Sequence, residues 1–362
     1  MGLPLDGVRV LEVGGGVPAA FAGRWLAGFG ADVVRSEGAG PVPLTDDQAV
    51  YLLAGKRRVE LAPDELGRLA LEADIVLEDQ APGTLASWGW APDELRARRP
   101  ELVVVSITPF GQTGPYAGYQ ATNGVSFAMG GIMSLTGSIE REPLVTGGDQ
   151  ALVLGGLNAA GAATTAYYGR LVHGEGDWVD LSLQELAAGM NELYVPGTSY
   201  GGPVQLRLGN HTRPVWGIYP CADGWAGVFC LERQVPAFFG LLDDPELDEE
   251  RFRDPVQRSR HGDELTAKVY AFFAEHTKEE VLELGPRHRV PFGVAVTPAD
   301  LLGSPGLAER GFFEEVATPA GTATVPGRPF PGLGWRAGAL HAPGQDTEAV
   351  LAEWATAQGV AS

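Results

Sequence analysis

Four short apolar runs, with helical stretches between them, constrain this chain more than any other feature. Residues 8–13 (VRVLEV), 31–37 (ADVVRSE), 73–78 (ADIVLE) and 102–107 (LVVVSI) are rich in valine, isoleucine and leucine and alternate little. Strands with that composition are covered on both faces, as in parallel sheets. Segments 19–27, 63–71 and 92–98 have helical composition, and Gly28-Phe29-Gly30 closes the first of them, with glycine where a helix C-terminus favours it. A further short strand is expected at 58–61. The repeated βαβ pattern implies an α/β fold with a doubly wound parallel sheet and right-handed crossovers. Ligands on such sheets bind beyond the carboxyl ends of the strands. The site loops are therefore expected at 14–18, 36–43, 79–83 and 109–116.

Beyond residue 120 the chain turns helical. Helices are expected at 122–135, 150–172 and 183–194, with a strand at 178–182. The segment 150–172 is small and apolar with no charge before Arg170, and reads as a buried helix. Near residue 196 the composition shifts to Gly, Pro and aromatics. The organisation read from this is a large domain over 1–195, a linker over 196–220, a smaller α+β domain over 221–316, and a return segment over 317–362 ending in a helix at 347–358. In the smaller domain a strand is expected at 224–230 and helices at 262–276 and 278–284. Thr277 and Glu280 have the spacing of a capping box, and Thr297 opens a further helix.

The 26 basic and 46 acidic side chains give a net charge of −20. Such a surface repels nucleic acid and anionic membranes, so neither is expected as a partner. No run of 18 apolar residues and no secretory leader are evident. Cys221 and Cys230 cannot form a disulfide framework, which points to the cytoplasm. The histidines (His173, His211, His261, His276, His288 and His341) are scattered without ligand spacing, so no metal is expected.

Two short motifs suggest other chemistries. Gly14-Gly15-Gly16-Val17-Pro18-Ala19 fits G-x-G-x-x-A between strand and helix, with Glu37 lying 21 residues beyond Gly16, a dinucleotide-like arrangement. Pro18 removes one N–H donor from it. Gly197-Thr198-Ser199-Tyr200-Gly201 spells G-x-S-x-G, but no strand precedes it, as a nucleophile elbow requires.

Asp149 is the remaining candidate. It follows Gly147-Gly148 and opens the helix at Gln150. One reading makes it an N-cap, contributing about 1 kcal/mol. The other makes it a nucleophile, held ionised by the helix N-terminus and attacking an activated acyl carbon. The N–H groups of Gly147 and Gly148 would then face a developing oxyanion.

From end to end the chain resembles the class III coenzyme A-transferases. The matching pieces include Gly30-Ala31-Asp32-Val33-Val34-Arg35-Ser36-Glu37, Gly55-Lys56-Arg57-Arg58, the loop 106–116 (SITPFGQTGPY), 131–137 (GIMSLTG) and 176–185. Further pieces are Gly209-Asn210, Tyr219-Pro220, Asp223-Gly224, 291–302 and 309–313. The resemblance implies an acyl-CoA:carboxylate CoA-transferase in which Asp149 carries the acyl group. Coenzyme A enters as the acyl-CoA co-substrate and a small carboxylate as acceptor. It implies CoA contacts at Gly15, Gly16, Val17, Pro18, Arg35, Lys56, Arg57, Gly83, Phe110 and Gly111. It also implies a substrate pocket with Gly147, Gly148, Gly201 and Gly202, and an interlocked homodimer. Thr122 stands where the racemase branch has histidine, which removes the second acid/base that proton exchange needs. The sequence departs from the family at Pro18-Ala19-Ala20, at 38–44 and at Glu78-Asp79-Gln80-Ala81. Arg35, Lys56, Arg57 and Arg58 are then the expected cations for CoA. A non-catalytic acyl-CoA-binding protein and a nicotinamide-dependent dehydrogenase are the alternatives.

Overall fold

The computed structural model describes residues 2–38, 44–210 and 215–355. They divide into a larger unit, drawn from 1–133, 145–202 and 305–362, and a smaller one, drawn from 134–144 and 203–304.

The larger unit is built on β1 (Arg9–Val13), α1 (Val17–Gly28), β2 (Asp32–Ser36), α2 (Asp46–Leu52), β3 (Arg57–Val59), α3 (Pro63–Ala70), β4 (Ile75–Glu78), α4 (Thr84–Ser87), α5 (Pro92–Arg98) and β5 (Val103–Thr108). It continues through α6 (Asn123–Met129), α7 (Gln150–His173), β6 (Trp178–Ser182), α8 (Leu183–Gly189) and α9 (Tyr194–Ser199). Six strands pair in the order β3-β2-β1-β4-β5-β6, every pair parallel. The order reverses between β1 and β4, and on such sheets ligands bind outside the strand ends at that switch point.

Both faces of the sheet are covered, as the unalternating strands require. Val10, Val33, Ile75, Leu77 and Val105 pack with α1 and α7 on one face. Leu11, Val34, Val76 and Val104 pack on the other face with Leu66, Leu95, Val350 and Trp354. Trp354 belongs to the helix Thr347–Ala355 and donates its indole N–H to Asp32 Oδ2 at 3.0 Å. The residues beyond 355, where that helix is expected to end, lie outside the described part.

Glycine sets how closely α7 approaches α1. A Cβ on Gly156 would lie 2.6 Å from Phe21 Cβ and 2.7 Å from the Pro18 carbonyl oxygen, and one on Gly155 only 2.2 Å from Leu183 Cδ2. The buried face of α7 is Ala151, Gly155, Gly156, Ala159, Ala160, Ala163 and Ala166. Its opposite face is open: Tyr168 is 69% and Leu171 66% exposed. The expected buried helix is therefore buried on one side only. Its alanines and glycines serve close packing, and the larger apolar side chains point outward.

The smaller unit contains an antiparallel sheet of β7 (Trp216–Cys221), β8 (Gly224–Phe229) and β9 (Phe292–Val294). Tyr219, Phe238, Phe252 and Phe273 fill its core. The Thr277/Glu280 capping box is present at the helix Lys278–His288. That helix runs past Pro286, four residues beyond its expected end at 284.

Several expected elements differ. The helix over 122–135 stops at Met129, because Gly131 takes φ 86° and a 3-10 turn, Ile132–Leu135, follows. The helix over 183–194 breaks after Gly189 and resumes as α9, so the expected linker begins inside a helix and ends inside β7. Return segment 317–334 contains most of a hairpin of β10 (Phe313–Thr318) and β11 (Gly321–Pro326), with Val316 and Val325 buried against Ala54. Helix α2 was not expected, although Thr45-Asp46-Asp47-Gln48 is a legible capping box and forms one here.

Two substitutions in α7 separate packing from helix propensity. Gly156→Ala should destabilise the protein by about 1–3 kcal/mol through overpacking. At exposed Gly161 a Cβ meets nothing within 4 Å, so Gly161→Ala should stabilise by roughly 0.5–1 kcal/mol. Urea unfolding of the two variants against wild type checks both signs.

Candidate active site

Helices α1, α2 and α7 meet where α7 begins. Val17, Ala20 and Phe21 of α1, Leu52 of α2 and the adjoining Leu53 share one apolar cluster with Leu152 and Val153 from the first turn of α7. Asp149 holds the N-cap position of α7, and its carbonyl accepts the Val153 N–H at 2.8 Å. Its side chain makes no capping hydrogen bond, so the expected cap role is not filled by the carboxylate. Asn123 fills it from the start of α6. Asn123 Oδ1 accepts the Ala151 N–H at 2.8 Å, and Asn123 Nδ2 donates to the Gly148 carbonyl at 3.1 Å. An asparagine 28 residues upstream of Ala151 thus satisfies the helix end in place of the aspartate.

Asp149 is partly exposed. Gln48 Nε2 donates to Asp149 Oδ2 at 2.7 Å. No described residue hydrogen-bonds Asp149 Oδ1. Gly147 and Gly148 are exposed, and Gly148 takes φ 71°, a left-handed conformation that favours glycine. One oxygen of this acid is thus held, and the other has no partner among the described residues, beside exposed backbone.

The β1–α1 turn is already occupied by an anion from within the chain. Asp79, just past β4, accepts long hydrogen bonds from the Gly16 N–H (3.4 Å) and the Ala19 N–H (3.3 Å). Its carboxylate fits so closely that a Cβ on Gly14 would lie 1.8 Å, and one on Gly16 2.4 Å, from its oxygens. Asp79 therefore holds the helix N-terminus that a pyrophosphate would need. Glu37, the expected ribose acid, is ion-paired with Arg58 at 2.6 Å. Both observations weigh against the dinucleotide reading of this loop.

The expected CoA cations are also engaged. Lys56 has no exposed side-chain surface; it donates to Glu12 Oε2 at 2.5 Å and to the Ala20 carbonyl at 2.7 Å. Burial pushes its ammonium down to about 8, against the pull of Glu12. Arg35 is buried and pairs with the other oxygen of Glu12. Arg57 pairs with Asp32 and Glu353. Arg35 and Lys56 form the internal counter-charge of Glu12, and a ligand phosphate would have to displace it.

Of the remaining expected contacts, Val17 and Pro18 are buried in the first turn of α1, and Gly15 is partly exposed. Gly83 opens α4 with φ 84°. Phe110 is buried beside Tyr116 and Tyr119, and Gly111 takes φ 85° next to Asp180. The Gly201 and Gly202 N–H groups bond Thr198 and Gly197, closing the turn after α9. Ser199 lies in α9 and donates to the Pro196 carbonyl at 3.0 Å, so it is not on a strand-to-helix elbow. Gln48 and Asn123, the two side chains that define Asp149, were not singled out from sequence.

Two carboxyls sit at the carboxyl end of β4, Glu78 as its last residue and Asp79 just past it. Burial raises Glu78 to about 7 and Asp79 to about 6. Ser106 and the Gln80 N–H oppose the rise at Glu78, whereas Asp79 and Asp180 add to it. At Asp79 the charge of Arg35 and the Ala19 and Gly16 N–H groups oppose it, and Glu12 adds to it.

Comparison with known proteins gives a consistent answer. The model of CoA-transferase family III matches residues 5–347. The chain is 31% identical over 332 residues to a succinyl-CoA–D-citramalate CoA-transferase of Chloroflexus aurantiacus, covering 85% of this chain and 82% of that protein. It is 28% identical over 365 residues to a formyl-CoA:oxalate CoA-transferase of Streptomyces avermitilis, covering 87% and 88%. A crystal structure of a CaiB/BaiF family protein from Brucella suis superposes with a TM-score of 0.86 at 26% identity, covering 98% of this chain and all of that one.

Because the folded pKa of Glu78 is raised, the native state keeps a proton that the unfolded chain releases. Its contribution to stability therefore falls as pH rises from the ordinary carboxylate range near ~4 to about 7. Glu78→Gln should melt like wild type near pH ~4 and be more stable at pH 8 by on the order of 1–3 kcal/mol. Thermal melts across pH check this. Asn123→Ala should cost about 0.5–2 kcal/mol in chemical unfolding, as other lost helix caps do.

Proposed function

The chain belongs to CoA-transferase family III and is an enzyme that transfers CoA, and from that premise we propose that it moves CoA from an acyl-CoA donor to a small carboxylate through a covalent intermediate on Asp149. The observation that carries this reading is the state of Asp149. It stands at the head of α7, its helix is capped by Asn123, and one carboxylate oxygen is held by Gln48.

The sequence of steps follows from that carboxylate. Asp149 Oδ1 attacks the thioester carbonyl carbon, the C–S bond breaks, and sulfur leaves as CoA thiolate. A mixed anhydride remains. The thiolate then attacks Asp149 Cγ, and the Cγ–Oδ1 bond breaks. The donor acid departs and an aspartyl-CoA thioester remains. An acceptor carboxylate attacks Cγ in turn, and the reverse sequence delivers the new acyl-CoA. Gly147 and Gly148 directly precede Asp149 and are exposed, and this reading assigns their backbone N–H groups as donors to charge developing beside it.

A racemase reading lacks its second acid/base. Thr122 caps α6 by accepting the Val125 N–H at 3.5 Å, and a threonine hydroxyl does not ionise near neutral pH, so it is no general base there.

Incubating the protein with a panel of acyl-CoAs, trapping with hydroxylamine and mapping peptides should find the adduct at Asp149. Asp149→Asn should carry none and should lose turnover by at least ~10⁴-fold, as loss of a covalent nucleophile does. Turnover that survives in Asp149→Asn would sink the proposal.

A further inference from the structure

Gln48 makes two sets of contacts, and one dictates the other. Its backbone N–H donates to Thr45 Oγ1 at 3.3 Å, and its side-chain Oε1 accepts the Thr45 N–H at 3.0 Å. This is the capping box of α2. The Thr45 N–H is only a donor, so the amide oxygen must face it. The other end of the amide, which lies 2.7 Å from Asp149 Oδ2, is therefore the NH₂. A flipped amide would set donor against donor at Thr45 and acceptor against acceptor at Asp149. The orientation of the donor toward Asp149 is thus built into the first turn of α2. Leu52, Leu53 and Tyr51 hold that helix against Phe21 of α1 and Leu152 of α7.

We propose that Gln48 is a catalytic hydrogen-bond donor that pins Asp149 Oδ2 as the retained oxygen and stabilises the negative charge it takes on when Asp149 Cγ is attacked. The proposal rests on the reading of Asp149 as acyl acceptor. In the first step Oδ1 bonds to the acyl carbon, and Oδ2 becomes the carbonyl oxygen of the anhydride. When the thiolate adds to Cγ, the carbonyl electron pair moves onto Oδ2, where Gln48 Nε2 already donates. Collapse restores the carbonyl and breaks Cγ–Oδ1, so the donor acid leaves with Oδ1 and Oδ2 stays on the protein. Attack of the acceptor carboxylate on Cγ draws on the same donor. A pre-oriented donor at a developing oxyanion is worth about 10²–10³-fold in rate.

The test compares wild type, Gln48→Leu and Gln48→Glu. Leucine removes the donor. Glutamate keeps the capping box, in which it is the usual partner, but replaces the donor with an acceptor. Each protein is mixed with saturating acyl-CoA and acid-quenched on the millisecond scale. Intact mass then separates the acyl adduct on Asp149 from the CoA adduct. Loss of the donor slows attack at Cγ, so the ratio of acyl to CoA adduct should rise at least tenfold in both variants. Turnover should fall ~10²-fold, with the half-saturating acyl-CoA concentration unchanged or lower. A ratio that rises less than tenfold, or a loss confined to half-saturation, overturns the role of Gln48. Melting temperatures show whether either variant is unfolded, and the folded one decides. A wild-type protein with neither adduct on Asp149 overturns the covalent reading itself, and the role of Gln48 with it. An adduct that forms with an unchanged ratio in the variants overturns the Gln48 assignment alone.

Discussion

The closeness of α7 to α1 is what the candidate site depends on. Two adjacent glycines, Gly155 and Gly156, let the backbone of α7 press onto Pro18, Phe21 and Leu183 with no room for a Cβ. A helix is a stiff rod rising about 1.5 Å per residue. Fixing it at Gly155 and Gly156 therefore fixes its start at Gln150, about one and a half turns earlier. The end of α7 is then held beside α1 and α2, and Asp149 meets Gln48 there. Replacing this contact by an ordinary side-chain layer would move the carboxylate away from its donor.

The second constraint is electrostatic. The sheet buries Glu12 with two cations, Arg35 and Lys56, and Gly23 leaves the space that Glu12 needs, since a Cβ there would lie 2.0 Å from its oxygen. Buried charges persist only when paired and hydrogen-bonded, and here each oxygen of Glu12 has its own partner. Asp79 plays a comparable part at the β1–α1 turn, giving the N-terminus of α1 an internal anion. These residues show why acidic and basic side chains near a doubly wound crevice do not by themselves reveal a phosphate site. The same charges serve to hold the loops in place.

Much of the fold was legible in the sequence. Unalternating valine, isoleucine and leucine runs specified buried parallel strands, and all the expected strands of the larger sheet are present, within one or two residues for most of their ends. Thr277 and Glu280 specified their capping box for a local reason: the partners are three residues apart. Less was legible where glycine and proline crowd the chain. The β10–β11 hairpin hides among turn residues, and Gly131 interrupts a helix through a φ that composition does not reveal. At the candidate site, Asp149 stood out because it is a lone acid before a long uncharged helix. Gln48 and Asn123 did not, since a polar amide has no signature until its partner is known. They lie 101 and 28 residues from the groups they bond.

By itself, then, the sequence determined the α/β class, the strands of the larger sheet and the position of Asp149 at the head of α7. These follow from local periodicity, capping chemistry and the placement of charge along the chain. Only the tertiary structure decided what that aspartate does with its two oxygens. The capping bond came from Asn123, the side-chain donor came from Gln48, and Arg35 and Lys56 were turned inward to Glu12. The physical reason is that a hydrogen bond or ion pair depends on distances of a few ångströms. Those distances are set by which helices pack together, which no window along the chain contains.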